Sequence, residues 1–124
     1  EGYIMIDTKL PQSLMMIRNY GKRCRKVGGA LGFITHSVID LLHDSVRQYG
    51  QSILDNATYK FFMGADGKNL QEISDLYSLT DRQQSILRTG NRGEALSMLG
   101  SSIMHLDFLL PEYKLRNMGT AGGE

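Results

Sequence analysis

Lys22-Arg23-Cys24-Arg25-Lys26-Val27-Gly28-Gly29-Ala30-Leu31-Gly32-Phe33-Ile34-Thr35-His36 sets a basic run, a glycine pair and a mainly apolar run ending in a hydroxyl and an imidazole one after another. The glycine pair reads as a helix stop, because glycine takes the left-handed conformation that closes a last turn. Ala30 to Thr35, apolar and bounded by turn residues, reads as a strand buried on both faces, of the kind found at the centre of a parallel sheet. Ligands of open α/β sheets bind beyond the carboxyl ends of such strands, which makes Thr35-His36 a chemically privileged position.

Upstream, a connector over Asp7 to Leu10 precedes Pro11, a residue suited to a first helical position because its missing N–H has no helical partner there. Leu14, Ile17, Gly21 and Cys24 then recur at helical spacing, predicting an amphipathic helix from Pro11 to Val27.

Downstream, Ser37 is placed to cap a short helix over Val38 to His43, and Asp44 to start a second one with Val46, Tyr49, Ile53 and Leu54 before Asn56; Gly50 weakens that second helix. Thr58 to Met63 has strand composition, and Gly64 to Gly67 is a turn leading to a helix over Asn69 to Tyr77. Thr80-Asp81-Arg82-Gln83 is a capping box that opens a helix running to Thr89 and stopping at Gly90. Glu94 to Leu99 and Ser102 to Leu109, split by Gly100-Ser101, predict an antiparallel hairpin, and Pro111 opens a last short helix. The whole predicts one α/β sheet with helices on both faces and an antiparallel edge, its first strands not supplied by this sequence. Residues 1–118 form one domain portion on this reading, and 119–124 a glycine-rich flexible tail; Glu1, in front of the apolar Tyr3-Ile4-Met5-Ile6, reads as a cut end.

With Lys+Arg 14 against Asp+Glu 13, no global field draws the chain to nucleic acid or membrane, so electrostatic function has to come from local clustering. Arg18, Lys22, Arg23, Arg25 and Lys26 supply such a cluster. Cations at a helix C-terminus also complement its dipole, by about 0.3–1 kcal/mol each, so the cluster has a structural explanation beside a functional one. As a functional feature it contacts DNA phosphate, or sets a guanidinium against the terminal phosphate of a nucleotide; residue type alone leaves both open.

Three histidines and a single cysteine, Cys24, fall at no zinc-ligand spacing, so no metal site is expected. Cys24 forms no internal disulfide, in keeping with a reducing, cytoplasmic compartment, and no stretch approaches the length of a membrane span. No Gly-x-x-x-x-Gly-Lys-Ser/Thr loop occurs, which leaves the chain without a phosphate cradle of that kind. The methionines, Met15, Met16, Met63, Met98 and Met104 among them, read as packing.

In order, Lys22 to Gly29, Gly32-Phe33-Ile34-Thr35-His36, Ile39-Asp40-Leu41-Leu42, Ile53-Leu54-Asp55-Asn56 and Gly93-Glu94-Ala95-Leu96 resemble the region after the Walker B strand in the traffic ATPases of conjugative type IV secretion. The resemblance covers about residues 1–116 and implies part of a RecA-like P-loop NTPase domain, without its Walker A half. It implies a whole protein that binds ATP and magnesium, assembles as a homo-oligomer, a hexamer by this resemblance, and works at the inner face of the cell membrane with inner-membrane secretion components and DNA. By the same resemblance Glu1 is the catalytic glutamate after the Walker B aspartate, and Thr35 and His36 occupy the sensor pair, His36 standing where the family has glutamine. Arg23 and Arg25 match its paired arginines, and Arg92 is a third phosphate-facing candidate. The 124 residues alone are then expected to hold no nucleotide tightly and to turn none over. A rival reading is a non-catalytic DNA-binding or protein-interaction module that uses the basic helix 18–26.

Overall fold

The computed structural model describes residues 11–118. Its elements are α1 (Gln12–Arg23), continued by a 3-10 helix (Cys24–Val27), α2 (Val38–Leu42), α3 (Arg47–Asn56), β1 (Tyr59–Phe62), α4 (Gly67–Tyr77), α5 (Asp81–Thr89), β2 (Glu94–Leu99), β3 (Ser102–Asp107) and α6 (Glu112–Met118).

The local signals act where the sequence puts them. Pro11 sits one position before α1, its carbonyl accepting the Met15 N–H at 2.9 Å. After the 3-10 turn, Gly28 takes φ 68°, and its N–H reaches the Arg25 carbonyl while that of Gly29 reaches Cys24 O at 2.9 Å. This is a Schellman closure, and it requires the left-handed residue that glycine supplies without strain. Thr80 and Gln83 form the predicted capping box, and α5 ends on Gly90 at φ 56°.

The sheet has the order β1-β2-β3 and is antiparallel throughout. β2 is central, with Ala95 to Met98 buried on both sides. Its Leu96 and Met98, with Phe62 of β1, face Leu70 and Ile73 of α4, Leu79 in the link after α4, and Leu87 of α5 in the larger core cluster. A second cluster joins Leu14 of α1 to Leu41 and Val46, with Phe33, Tyr49 and Ile53 against it. Helix α2 wedges between the two: Val38 and Leu42, four apart on one face, enter the first, and Leu41 enters the second.

Two expectations are corrected. Residues 31–35 form no strand, and Ile34 is 75% exposed where burial on both faces was expected. A strand exists only through a partner that takes its backbone N–H and C=O groups, and no described residue pairs with this run. Second, helices cover one face of the described sheet only. On the other face Tyr59 and Phe61 are 68% and 51% exposed, with Phe61 set against Phe108 at 6.5 Å between ring centroids. The mixed helix and strand class, the flanking helices and the C-terminal hairpin are as the sequence predicts.

Candidate functional site

Thr35 and His36 lie at the bend between the extended run and α2. The Thr35 hydroxyl donates to the Ser37 carbonyl at 3.1 Å and accepts the Ser37 N–H at 3.3 Å, a hydroxyl turn that folds the chain back on itself. Its proton is therefore committed to Ser37, and a phosphate contact from Thr35 needs that hydroxyl to rotate. His36 is exposed at the apex.

Ser37 takes the N-cap position of α2, as the sequence predicts, but its hydroxyl does not accept from the helix. The capping oxygen is Oδ1 of Asn69, on α4, which accepts from the Ser37 hydroxyl at 3.0 Å and from the Val38 N–H at 3.2 Å. Nothing in the local sequence around residue 37 signals a cap supplied from 32 positions away.

The basic cluster divides. The Arg18 guanidinium lies 5.2 Å from the centre of the Tyr49 ring and donates to the Asn19 side chain, which uses it in the α1–α3 contact. Lys22, Arg23, Arg25 and Lys26 are exposed around the end of α1 and the 3-10 turn. Arg92 is exposed in the turn that enters β2. No hydrogen bond or ion pair among the described residues links Arg23, Arg25 or Arg92 to Thr35. Glu1 lies outside the described residues.

Arg92 nevertheless sits on a braced turn. The Glu94 carboxylate accepts from the Asn91 side chain at 3.0 Å and pairs with His105 Nε2 at 3.0 Å, while the Phe108 N–H bonds the Gly93 carbonyl at 2.7 Å. Glu94 and His105 are diagonal across the ladder, since Leu96 faces His105 and Glu94 faces Asp107. The sequence reading gave His105 no role; the hairpin register, which places it beside Glu94, is the signal that identifies it.

Two shallow surface grooves lie elsewhere. One is lined by Gly64, Ala65, Asp66, Leu87, Arg88 and Gly90, the other by Thr80, Arg82, Gln83, Ile86, Leu96, Ile103 and His105; neither includes Thr35, His36, Arg23, Arg25 or Arg92. Among the described residues no group of three or more His, Cys, Asp and Glu could hold a metal ion, and no helix is long and apolar enough to cross a membrane. As a donor set, three guanidiniums, an imidazole and a hydroxyl suit the oxygens of a phosphate, and they offer no carboxylate of their own to a magnesium ion.

No protein-family model matches the chain, and neither does any curated protein. Among solved structures, that of VirB4 of Thermoanaerobacter pseudethanolicus matches 93% of this chain at 34% identity with a TM-score of 0.86. The chain spans 31% of that VirB4 chain.

Proposed function

From the premise that this chain is VirB4-like, the counterpart of under a third of a type IV secretion ATPase, we propose that it carries the sensor and arginine side of the nucleotide site in a longer ATP-driven motor. The observation that carries the proposal is the likeness to VirB4 over nearly the whole chain, at an identity well above that of a shared fold alone.

In this reading the P-loop that grips the nucleotide belongs to another part of the protein, ATP and magnesium bind there, and the bound metal neutralises charge on the phosphates. His36 and Thr35 face the terminal phosphate from the turn before α2. Arg23, Arg25 and Arg92 supply guanidinium charge to a phosphate in their own subunit or a neighbouring one, where charge develops in the transition state. Glu1 polarises the attacking water. The working protein is a homo-oligomer, hexameric by family resemblance, at the cytoplasmic face of the inner membrane, where it energises transfer of DNA or protein with membrane-embedded secretion components. The 124 residues alone turn over no ATP.

The test is ATP turnover by the full-length protein and by its His36→Ala, Arg23→Ala and Arg25→Ala variants. At least one arginine variant should lose about 10³-fold in kcat, the lower range for removing an arginine that stabilises transferring phosphate. Parental turnover in all three would discard the site assignment.

The exposure of Lys22, Arg23, Arg25 and Lys26 together favours a second reading, a DNA-binding or interaction module without catalysis. It predicts that the 124 residues by themselves bind duplex DNA with an affinity that falls steeply as salt rises, an outcome that fluorescence anisotropy would separate from the first.

A further inference from the structure

The turn bearing Thr35 and His36 is held from outside its own segment. Asn69 stands in the first turn of α4, and its Oδ1 collects the Ser37 hydroxyl at 3.0 Å, the Val38 N–H at 3.2 Å and, at 3.5 Å, the Ile39 N–H. Val38 and Ile39 are the first two residues of α2, whose N–H groups have no partner inside the helix. At five residues, α2 is too short to sustain its own first turn, and this external oxygen satisfies the N–H groups left free there. The connection continues to the hydroxyl of Thr35, which grips the Ser37 N–H and carbonyl from the other side. Asn69 itself is fixed, because the next residue, Leu70, and Ile73 one turn on are buried in the larger core cluster.

We infer that Asn69 is a positioning residue for the Thr35–His36 turn, tying it to α4 through one side-chain oxygen. The inference rests on the reading of Thr35 and His36 as phosphate-facing residues. Each bond to Asn69 is accepted by Oδ1, and its side-chain nitrogen makes none among the described residues, so the position requires an acceptor and not an amide. Aspartate keeps that acceptor and adds a negative charge favourable at the N-terminus of α2; alanine removes it.

The experiment measures kcat and KM for ATP in the full-length protein for Asn69→Ala and Asn69→Asp, with Thr35→Ala and His36→Ala alongside. Asn69→Ala is expected to lower kcat about 10-fold or more with KM changed less than about 2-fold, since misplacing a positioned group by a fraction of an ångström to 1 Å acts on the chemical step. Asn69→Asp is expected to return kcat to within about 3-fold of the parent. Parental kcat in Asn69→Ala, with loss in Thr35→Ala or His36→Ala, overturns the inference and leaves the site reading standing. Parental kcat in all four overturns both, and an aspartate variant as impaired as the alanine variant overturns the positioning role. If Asn69→Ala does not fold, Ser37→Ala, which deletes one of the bonds, takes its place: about a 3-fold loss of kcat supports the inference and an unchanged kcat overturns it.

Discussion

Gly50, in the first turn of α3, looks from sequence like a flaw in a helix, because alanine there ordinarily gains about 1 kcal/mol. The structure reverses the sign. A Cβ on Gly50 would lie 1.8 Å from the carbonyl oxygen of Leu41 and 2.6 Å from its carbonyl carbon. These are backbone atoms of α2 and cannot turn aside, so α2 and α3 have to part. Overpacking of this kind costs about 1–3 kcal/mol, which exceeds the propensity gain. Gly50→Ala should therefore lower the urea midpoint, and a midpoint equal to or above the parent's would mean that the α2–α3 crossing is not tight in solution. Tyr77 gives a second residue-scale prediction. Its ring stands 5.6 Å from that of Phe62, and burial, with a smaller contribution from the Asp55 carboxylate, pushes its pKa up to about 12. The unfolded chain ionises this phenol from about pH 10, the folded chain only near the higher value, so stability is lost as pH rises across that interval. Tyr77→Phe should remove this part of the loss: the variant's denaturation midpoint relative to the parent's should rise between about pH 9 and about pH 11. A difference independent of pH would refute it.

At the scale of elements, α5 allows local and tertiary contributions to be compared on one helix. Thr80 Oγ1 accepts the Gln83 N–H at 3.4 Å, and Gln83 Oε1 accepts the Thr80 N–H at 2.9 Å. Losing a cap of this type costs about 1 kcal/mol. Leu87, 1% exposed, carries the helix into the core against Leu96, and its truncation to alanine costs about 2–5 kcal/mol. Chemical denaturation should thus rank Leu87→Ala well below Thr80→Ala in stability; equal losses would mean that α5 is held chiefly by its cap. Elements whose signals are local were legible in this way: the Gly28-Gly29 stop, the capping box, the Gly100-Ser101 hairpin. The run 30–35 was not, because apolar composition bounded by turns states that a segment can be a strand, and only a partner makes it one. The same reasoning explains Ser37. Its position as N-cap follows from sequence, while the oxygen that satisfies α2 comes from Asn69, and no local pattern encodes that pairing.

At the scale of the molecule, α2 and Leu54 connect the two core clusters, Leu54 packing against both, so the Thr35–His36 turn rests on the junction between them. For the candidate site, the residue types and their order were readable from sequence, and their likeness to a secretion ATPase agrees with the match to VirB4. Their mutual placement was not. Arg18 belongs to the basic run in sequence but is occupied by Tyr49 in space, and His105, which sequence gave no role, braces the turn that carries Arg92. The sequence by itself determined what short-range physics determines: where helices start and stop, where the hairpin turns, and which residues can donate to a phosphate, since caps, glycine turns and side-chain chemistry act within a few residues. Only the tertiary structure decided which apolar run becomes a strand, which oxygen caps α2 and which cation is already engaged, because each depends on a group tens of residues away whose approach is set by the packing of the cores.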